Sequence, residues 1–491
     1  MNWLANTYTV PTTFTSYTTT TNPVQYSSNP VVLSGISGVS SNNPDSTVSG
    51  NYTTAFSGIS VPGLSNATYS TSATLLRMDP SPGVTWLGSS TGGVVQTWQI
   101  TSQGSISGLR TATVQVVATY ERTGTPVFNY AIAATGTGCD AIDFGGSDGT
   151  DSYNSNNGAY NSSTNHSTTG GNIAANGNIT LASSSVVVDG TISGVNTTVT
   201  TSNCSAGLPG VTNDTGKAIT STPITKMTPA APWNCGATTP CYPAGYPSPT
   251  RSTTTQDVST SCSTIPGCTK SASSVTLYDG GKSTTAAVYT LTPGTYDNLE
   301  IDNADVVHVT AGTYTVNSLD FAQDGQLVVD SGPVTFNLAG QGCTSTCGKN
   351  PSDTVVNSGG LSGWNLCAPI MVSGVSTGVT GNPGVYPSGT SQDASCGSTK
   401  AAISGIPANF QMIYAGAAEI QTTGAPMVGV IYAPNAALLE TGGAVGYYGS
   451  VVTGTFSEQS KAPFHYDSSL QSSAVQVGPF KPVGGFSWSK F

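Results

Sequence analysis

The chain has 491 residues, of which only 8% are charged, and carries a net charge of −11 with 13 Lys plus Arg. So few basic groups exclude nucleic acid and anionic membrane as main partners, because phosphate binding needs clustered Lys and Arg. The longest apolar runs fall short of the roughly 18 residues that a membrane-spanning helix needs, so none is predicted.

Thr, Ser and Asn dominate the polar positions, and Val, Ile and Tyr supply the apolar ones. That mixture suits exposed strand faces, turns and a β core, and sparse charge on such a surface reads as an exported protein. Ten cysteines, several in close pairs, fit disulfides in an oxidising compartment. No CxxC is present and no His neighbours a Cys pair, which argues against structural zinc. The opening MNWLANTYTV lacks a basic segment followed by an apolar one. The expectation is an exported chain whose N-terminus has been processed or trimmed.

Residues 1–125 read as a small N-terminal β domain, with turns at Asn43-Pro44 and Pro80–Gly83. Its best strands are Val94–Ile100 and Ala112–Tyr120, with Val127–Ile132 just after it. Alternation in TATVQVVATYER predicts that Val114 and Val116 are buried. Residues 126–195 hold the first solenoid coils. Within them, Asp148, Asp151, Asn154 and Asn156 offer oxygens at short spacing, the pattern of a calcium loop, although the EF-hand order and closing Glu are missing. No other cofactor is expected.

Residues 196–274 form a Pro-rich insertion. Cys235 with Cys241 and Cys262 with Cys268 are candidate local disulfides there, as are Cys343 with Cys347 further on. Trp233, Tyr242 and Tyr246, set among prolines, are candidates for a sugar- or protein-binding surface.

Residues 275–340 show the repeat most clearly: PGTY ends at Tyr296, AGTY at Tyr314 and SGPV at Val334. A turn signal recurring at about 18 to 20 residues with short alternating runs between is the pattern of stacked β coils. Val334, Phe336 and Leu338 should point inward and Thr335 and Asn337 outward. The tyrosine spacing predicts Tyr296 beneath Tyr314 and Ile301 beneath Leu319. Residues 341–400 form a second irregular insertion, residues 401–470 hold the final coils, and 471–491 are a C-terminal tail. A solenoid end leaves strand edges open, so the N-terminal domain and the tail are the expected caps. The fold class is therefore all-β: a parallel β-solenoid with long loop insertions, preceded by a small β domain.

Two stretches carry a resemblance. TWQITSQGSISGLRTATVQVVATYER, from Thr97 to Arg122, followed by PVFNYAIAATGTGC, resembles the extracellular part of PilX-like, type IV pilus-associated bacterial proteins. Phe128, Tyr130 and Ala131 match the lead-in to their repetitive β region. VGVIYAPNAALLETGGAVGYYGSVVTGTFSEQSKAPFHYDSSL is similar to their solenoid ending, including Phe464-His465-Tyr466-Asp467. Those proteins carry a pilin-like N-terminal helix, of which only a tail, Asn2 to Tyr8, would remain here.

The resemblance implies an extracellular, structural or adhesive component of a bacterial pilus or surface filament, without catalysis. Other pilus subunits, further copies of the chain, and a surface glycan or protein ligand are the partners it implies. His166, His308 and His465 lack the sequence context of a catalytic triad and read as structural. The competing reading is a β-helix carbohydrate-active enzyme, a lyase or hydrolase. It would use Asp302 and Asp320, which share the tyrosine spacing and so would stack on adjacent coils.

Overall fold

The computed structural model describes residues 3–4, 16–80, 94–108, 112–146, 149–158, 160–204, 210–229, 232, 254–279, 282–301, 305–322, 326–340, 354–360, 370–372, 406–423, 427–441, 447–459, 463–473, 475–483 and 487–490. They fall into two compact units, one made of Met1–Val127 with Ser472–Phe491 and the other of Phe128–Gln471. No described helix is long and apolar enough to cross a membrane.

The first unit is a 7-stranded antiparallel sheet. Its long strands Leu64–Pro80, Val94–Ile106 and Ala112–Pro126 lie side by side. Helix Ser46–Phe56 packs on Val32–Ser34 and Leu64–Pro80. Its Tyr52 joins Leu33, Ala73, Leu75, Met78 and Trp98 in one apolar core. The helix is weakly signalled, because STVSGNYTTAF is poor in helix formers. It starts because Asp45 caps it, accepting from the backbone N–H of Thr47 at 2.8 Å and Val48 at 3.2 Å.

Val114 and Val116 are not in this core, each being 37% exposed. Their strand lies on the lateral half of the sheet away from Val32–Ser34, and the helix covers the other half. The expected tail is not a separate segment either. Val475–Pro482 and Ser487–Lys490 both pair antiparallel with Ala112–Pro126, placing Val475 opposite Pro126 and Trp488 opposite Val116. They satisfy the N–H and C=O groups of an edge that would otherwise stay open. The second unit is thus an insertion between two neighbouring strands of the first.

The second unit is a parallel β-solenoid. Gly294–Ile301 stacks on Gly312–Ala322, then Val334–Leu338, Phe410–Tyr414, Met427–Thr441 and Tyr447–Glu458, all parallel. Val334, Phe336 and Leu338 point into the core and are fully buried. The register pairs Tyr296 with Val316, Ile301 with Phe321 and Leu299 with Leu319. The coil step is therefore longer by two positions than the spacing from Tyr296 to Tyr314.

Tyr296 and Tyr314 nevertheless meet, with ring centroids 6.3 Å apart, because positions two apart along a strand share the inward face. The ladder continues from Tyr314 to Phe336 at 5.1 Å and from Phe336 to Phe410 at 5.6 Å. Phe336 has packed rings on both sides and no solvent to relax into. Phe336→Ala should therefore cost about 3–5 kcal/mol, read as a lowered denaturant midpoint with an unchanged slope.

The stack is not wound from one end to the other. Ile132–Ala134 lies between Ile173–Ala175 and Tyr447–Glu458, with Ile132 beside both Ile173 and Val451. Ile142–Phe144 lies in the same way between Ile179–Leu181 and Tyr447–Glu458. Thr150–Tyr153 pairs with Phe464–Asp467. The first coil therefore sits inside the stack. Coils up to Ser221–Pro223 extend from one side of it, so Val199–Thr200, Val211–Asn213 and Ser221–Pro223 continue the solenoid where an interruption was expected. A second stack begins at Thr255–Asp257 and arrives from the other side. The two meet at a closing seam whose partners are far apart in the chain: Ser450 donates to the carbonyl of Tyr130 across a sequence separation of 320.

The Thr255–Asp257 end carries its own cap. Helix Val258–Ser261 follows directly, and Val258, Cys262 and Ile265 sink into the core. Cys262 and Cys268 are bonded across this cap, as their spacing suggested. Asp257 caps the helix, accepting from both the backbone N–H and hydroxyl of Ser259 and of Thr260. Burial alone would raise its pKa, but the four hydrogen bonds outweigh it and hold the carboxyl below its usual value. A depressed pKa gives stability that is present above the unfolded value and lost as pH falls through the folded one. Asp257→Ala should cost about 1 kcal/mol at neutral pH, and thermal melts in acid should show the gap from the parent protein closing.

Candidate functional site

A cluster of interacting ionisable groups lies at the closing seam. Three parallel strands put Tyr448, His465 and Asp151 side by side in register. His465 Nδ1 sits 2.6 Å from Asp151 Oδ1. His166 Nε2, from the loop after Thr150–Tyr153, sits 3.2 Å from Asp151 Oδ2. The Tyr160 hydroxyl donates to the same oxygen at 2.8 Å. One carboxylate is thus shared by two imidazoles and a phenol. The Asp151 and His465 side chains are 13% and 6% exposed and that of His166 25%, so only His166 faces water appreciably.

Rings enclose the cluster. The Tyr160 ring lies 3.8 Å from that of His465 between centroids, and the Tyr448 ring 4.8 Å from it. Burial, then the charge of Asp151, pushes the Tyr160 and Tyr448 hydroxyls well above the usual tyrosine range. They stay protonated donors at any ordinary pH. Asp189 is raised by burial and then by Asp151, and His166 and Lys217 oppose the shift.

A second buried group lies two residues on from His465. Asp467 is fully buried and accepts from the backbone N–H and hydroxyl of Ser155 and of Ser469, at 2.7 to 3.0 Å. The Tyr466 hydroxyl donates to the Phe128 carbonyl at 2.6 Å. Together these contacts tie the first coil to the last.

The residues singled out in the sequence are mostly placed elsewhere or not described. Asp151 contacts Tyr160, His465 and His166, and Asn154 Oδ1 accepts from the Asn156 N–H at 3.0 Å. Asp148 lies outside the described residues, and among those described no three His, Cys, Asp or Glu side chains are arranged to hold a metal ion. Trp233, Tyr242, Tyr246, Cys235, Cys241, Cys343 and Cys347 lie outside the described residues.

Asp302 does too, and the register sets Asp320 beside Glu300, so the spacing that suggested an Asp302–Asp320 pair is not the step of the coils. Cys139 is bonded to Cys204 at a sequence separation of 65, a pairing that local spacing could not suggest. His308 bonds Asp330 at 2.8 Å across neighbouring coils, in keeping with a structural histidine. The Asp151–His465 pair is invisible in the sequence because parallel strands at a separation of 314 leave no local signal.

The family profile of a domain of unknown function (DUF7305) matches residues 371–473, which include the final coils and the strand Phe464–Asp467. No curated protein matches the chain. Among solved structures, the competence-associated pilin ComZ from Thermus thermophilus is similar over 88% of this chain and 86% of its own, at 11% identity and a TM-score of 0.26. A likeness that weak decides neither fold nor role.

Proposed function

We propose that the chain is an extracellular structural or adhesive component of a bacterial pilus or surface filament, in which the small sheet unit serves assembly and the solenoid is the displayed part. The connectivity carries this reading. Phe128–Gln471 is spliced between Ala112–Pro126 and Val475–Pro482, adjacent strands of one sheet, so a large unit is joined to a smaller one by two neighbouring chain crossings. The pilus-type motifs from Thr97 to Cys139 span that junction. The ionisable cluster at the seam is closed on its own partners, which suits a stabilising role better than turnover.

Other filament subunits are the expected partners of the sheet unit, and a surface glycan or protein is the expected ligand of the solenoid. The test is to replace residues 128–471 by a short turn in the producing cell and examine sheared surface filaments. Retention of the shortened protein in filaments, with loss of adhesion, is the expected result. Absence of the full-length protein from the filament fraction would overturn the proposal.

A further inference from the structure

The chain passes between the two units twice, at Val127–Phe128 and at Gln471–Ser472. On the solenoid side both crossings are pinned. Phe128 and Leu470 are fully buried, and the Tyr466 hydroxyl donates to the Phe128 carbonyl at 2.6 Å across a sequence separation of 338. On the sheet side the same two chain segments are partners, with Val475 opposite Pro126. Closing the solenoid therefore brings together, from opposite ends of a long insertion, the two strands that the sheet must pair.

That strand pair is weak by itself. The register of Val475–Pro482 on Ala112–Pro126 breaks between Val477 and Phe480, and Pro126, Pro479 and Pro482 have no N–H to give to the ladder. Ser487–Lys490 adds only 4 residues. Such a pairing has little to set against the entropy of closing a loop of roughly 350 residues. With the seam closed, the Tyr466–Phe128 contact bridges the insertion, and the free loop shrinks to about a dozen residues. Loop-closure entropy grows with the logarithm of loop length, so this shortening favours the pairing by about a hundredfold.

We infer that seam closure in the solenoid and completion of the sheet are one coupled equilibrium, in which the closed seam is the clamp that holds Val475–Pro482 on Ala112–Pro126. The coupling runs through the chain and needs no contact between the units. It is reciprocal: whatever the closed seam adds to the strand pairing, the paired strands add to the seam. Damage at the seam releases the edge strand of the sheet and bares the N–H and C=O groups of Ala112–Pro126, whereas damage at the Thr255–Asp257 end does not.

Native-state hydrogen exchange on the full chain tests the coupling in both directions. Asp467→Ala loosens the seam, and amides of Val475–Pro482 should then exchange at least tenfold faster than in the parent protein, while those of Leu64–Pro80 and Val94–Ile106 keep their rates. Val477→Pro breaks the strand pairing opposite Gly124, and amides of Thr150–Tyr153 and Phe464–Asp467 should accelerate by a similar factor although the solenoid is unaltered. Asp257→Ala, at the other end of the stack, should leave the exchange of Val475–Pro482 unchanged. The two coupling variants perturb different units, so if one fails to fold the other decides. An acceleration below tenfold at the remote element in Asp467→Ala or Val477→Pro would overturn the inference, and so would release of Val475–Pro482 by Asp257→Ala.

Discussion

Gly449→Ala is expected to prevent the last coil from docking, at a cost of about 4 kcal/mol or more. Gly449 lies in Tyr447–Glu458, directly opposite Gly429 on one side and Tyr466 on the other. A Cβ there would stand 1.9 Å from the Gly429 carbonyl oxygen, a backbone atom that cannot swing aside, and the φ of +143° is strained for any L side chain. Gly429 has the same problem, with φ of +153° and the Phe410 ring 2.7 Å from an added Cβ. The two glycines let neighbouring coils approach where a side chain would wedge them apart. Urea titration followed by tyrosine fluorescence should show a much lower midpoint for Gly449→Ala. A wild-type midpoint would show that the coils are not in contact here.

Asp467→Ala is the second large effect expected, at about 3 kcal/mol or more. It strands the backbone N–H groups of Ser155 and Ser469 and leaves their hydroxyls only each other, at 3.0 Å, and each unsatisfied buried donor costs about 1–3 kcal/mol. Asp467→Asn is the informative companion. It keeps the shape and one acceptor oxygen, so it should recover part of the loss by keeping the contacts of the Ser155 and Ser469 N–H groups, which share one carboxylate oxygen. Thermal unfolding monitored by circular dichroism would rank the three proteins. Equal stability of the alanine variant and the parent would remove Asp467 from any role in closing the unit.

Much of the architecture can be read from the residues alone, for a definite reason. Alternation of the kind seen at Val334, Phe336 and Leu338 is a local property, and a parallel coil uses it directly. Repetition of PGTY and AGTY marks the turns, although the interval between their tyrosines falls two positions short of the coil step. The aromatic rings span that offset, so they advertise the ladder while misstating its register.

What stayed hidden is non-local. Nothing near Ile132 indicates that its neighbour is Val451, and nothing near Val475 indicates that it completes a sheet begun at Val32. Val114 and Val116 show a related failure: alternation reveals which face a side chain is on, but not whether anything covers that face. The seam cluster combines both difficulties. Three of its members, Asp151, Tyr160 and His166, lie close together in the sequence, yet His465 arrives from a strand more than half the chain away.

The insertion of one unit between adjacent strands of the other has a consequence for synthesis. Both units depend on residues that are translated late. The sheet strand Ala112–Pro126 lacks its partners on one edge until residues 475–490 emerge from the ribosome, and the first coil lacks its neighbour on one side until Tyr447–Asp467 does. For most of its elongation the chain therefore carries two open β edges of the kind that pair with wrong partners. A transcript cut short anywhere before Tyr447 would release a product in which neither unit can close, which makes residues 447–490 a checkpoint on the integrity of the whole molecule.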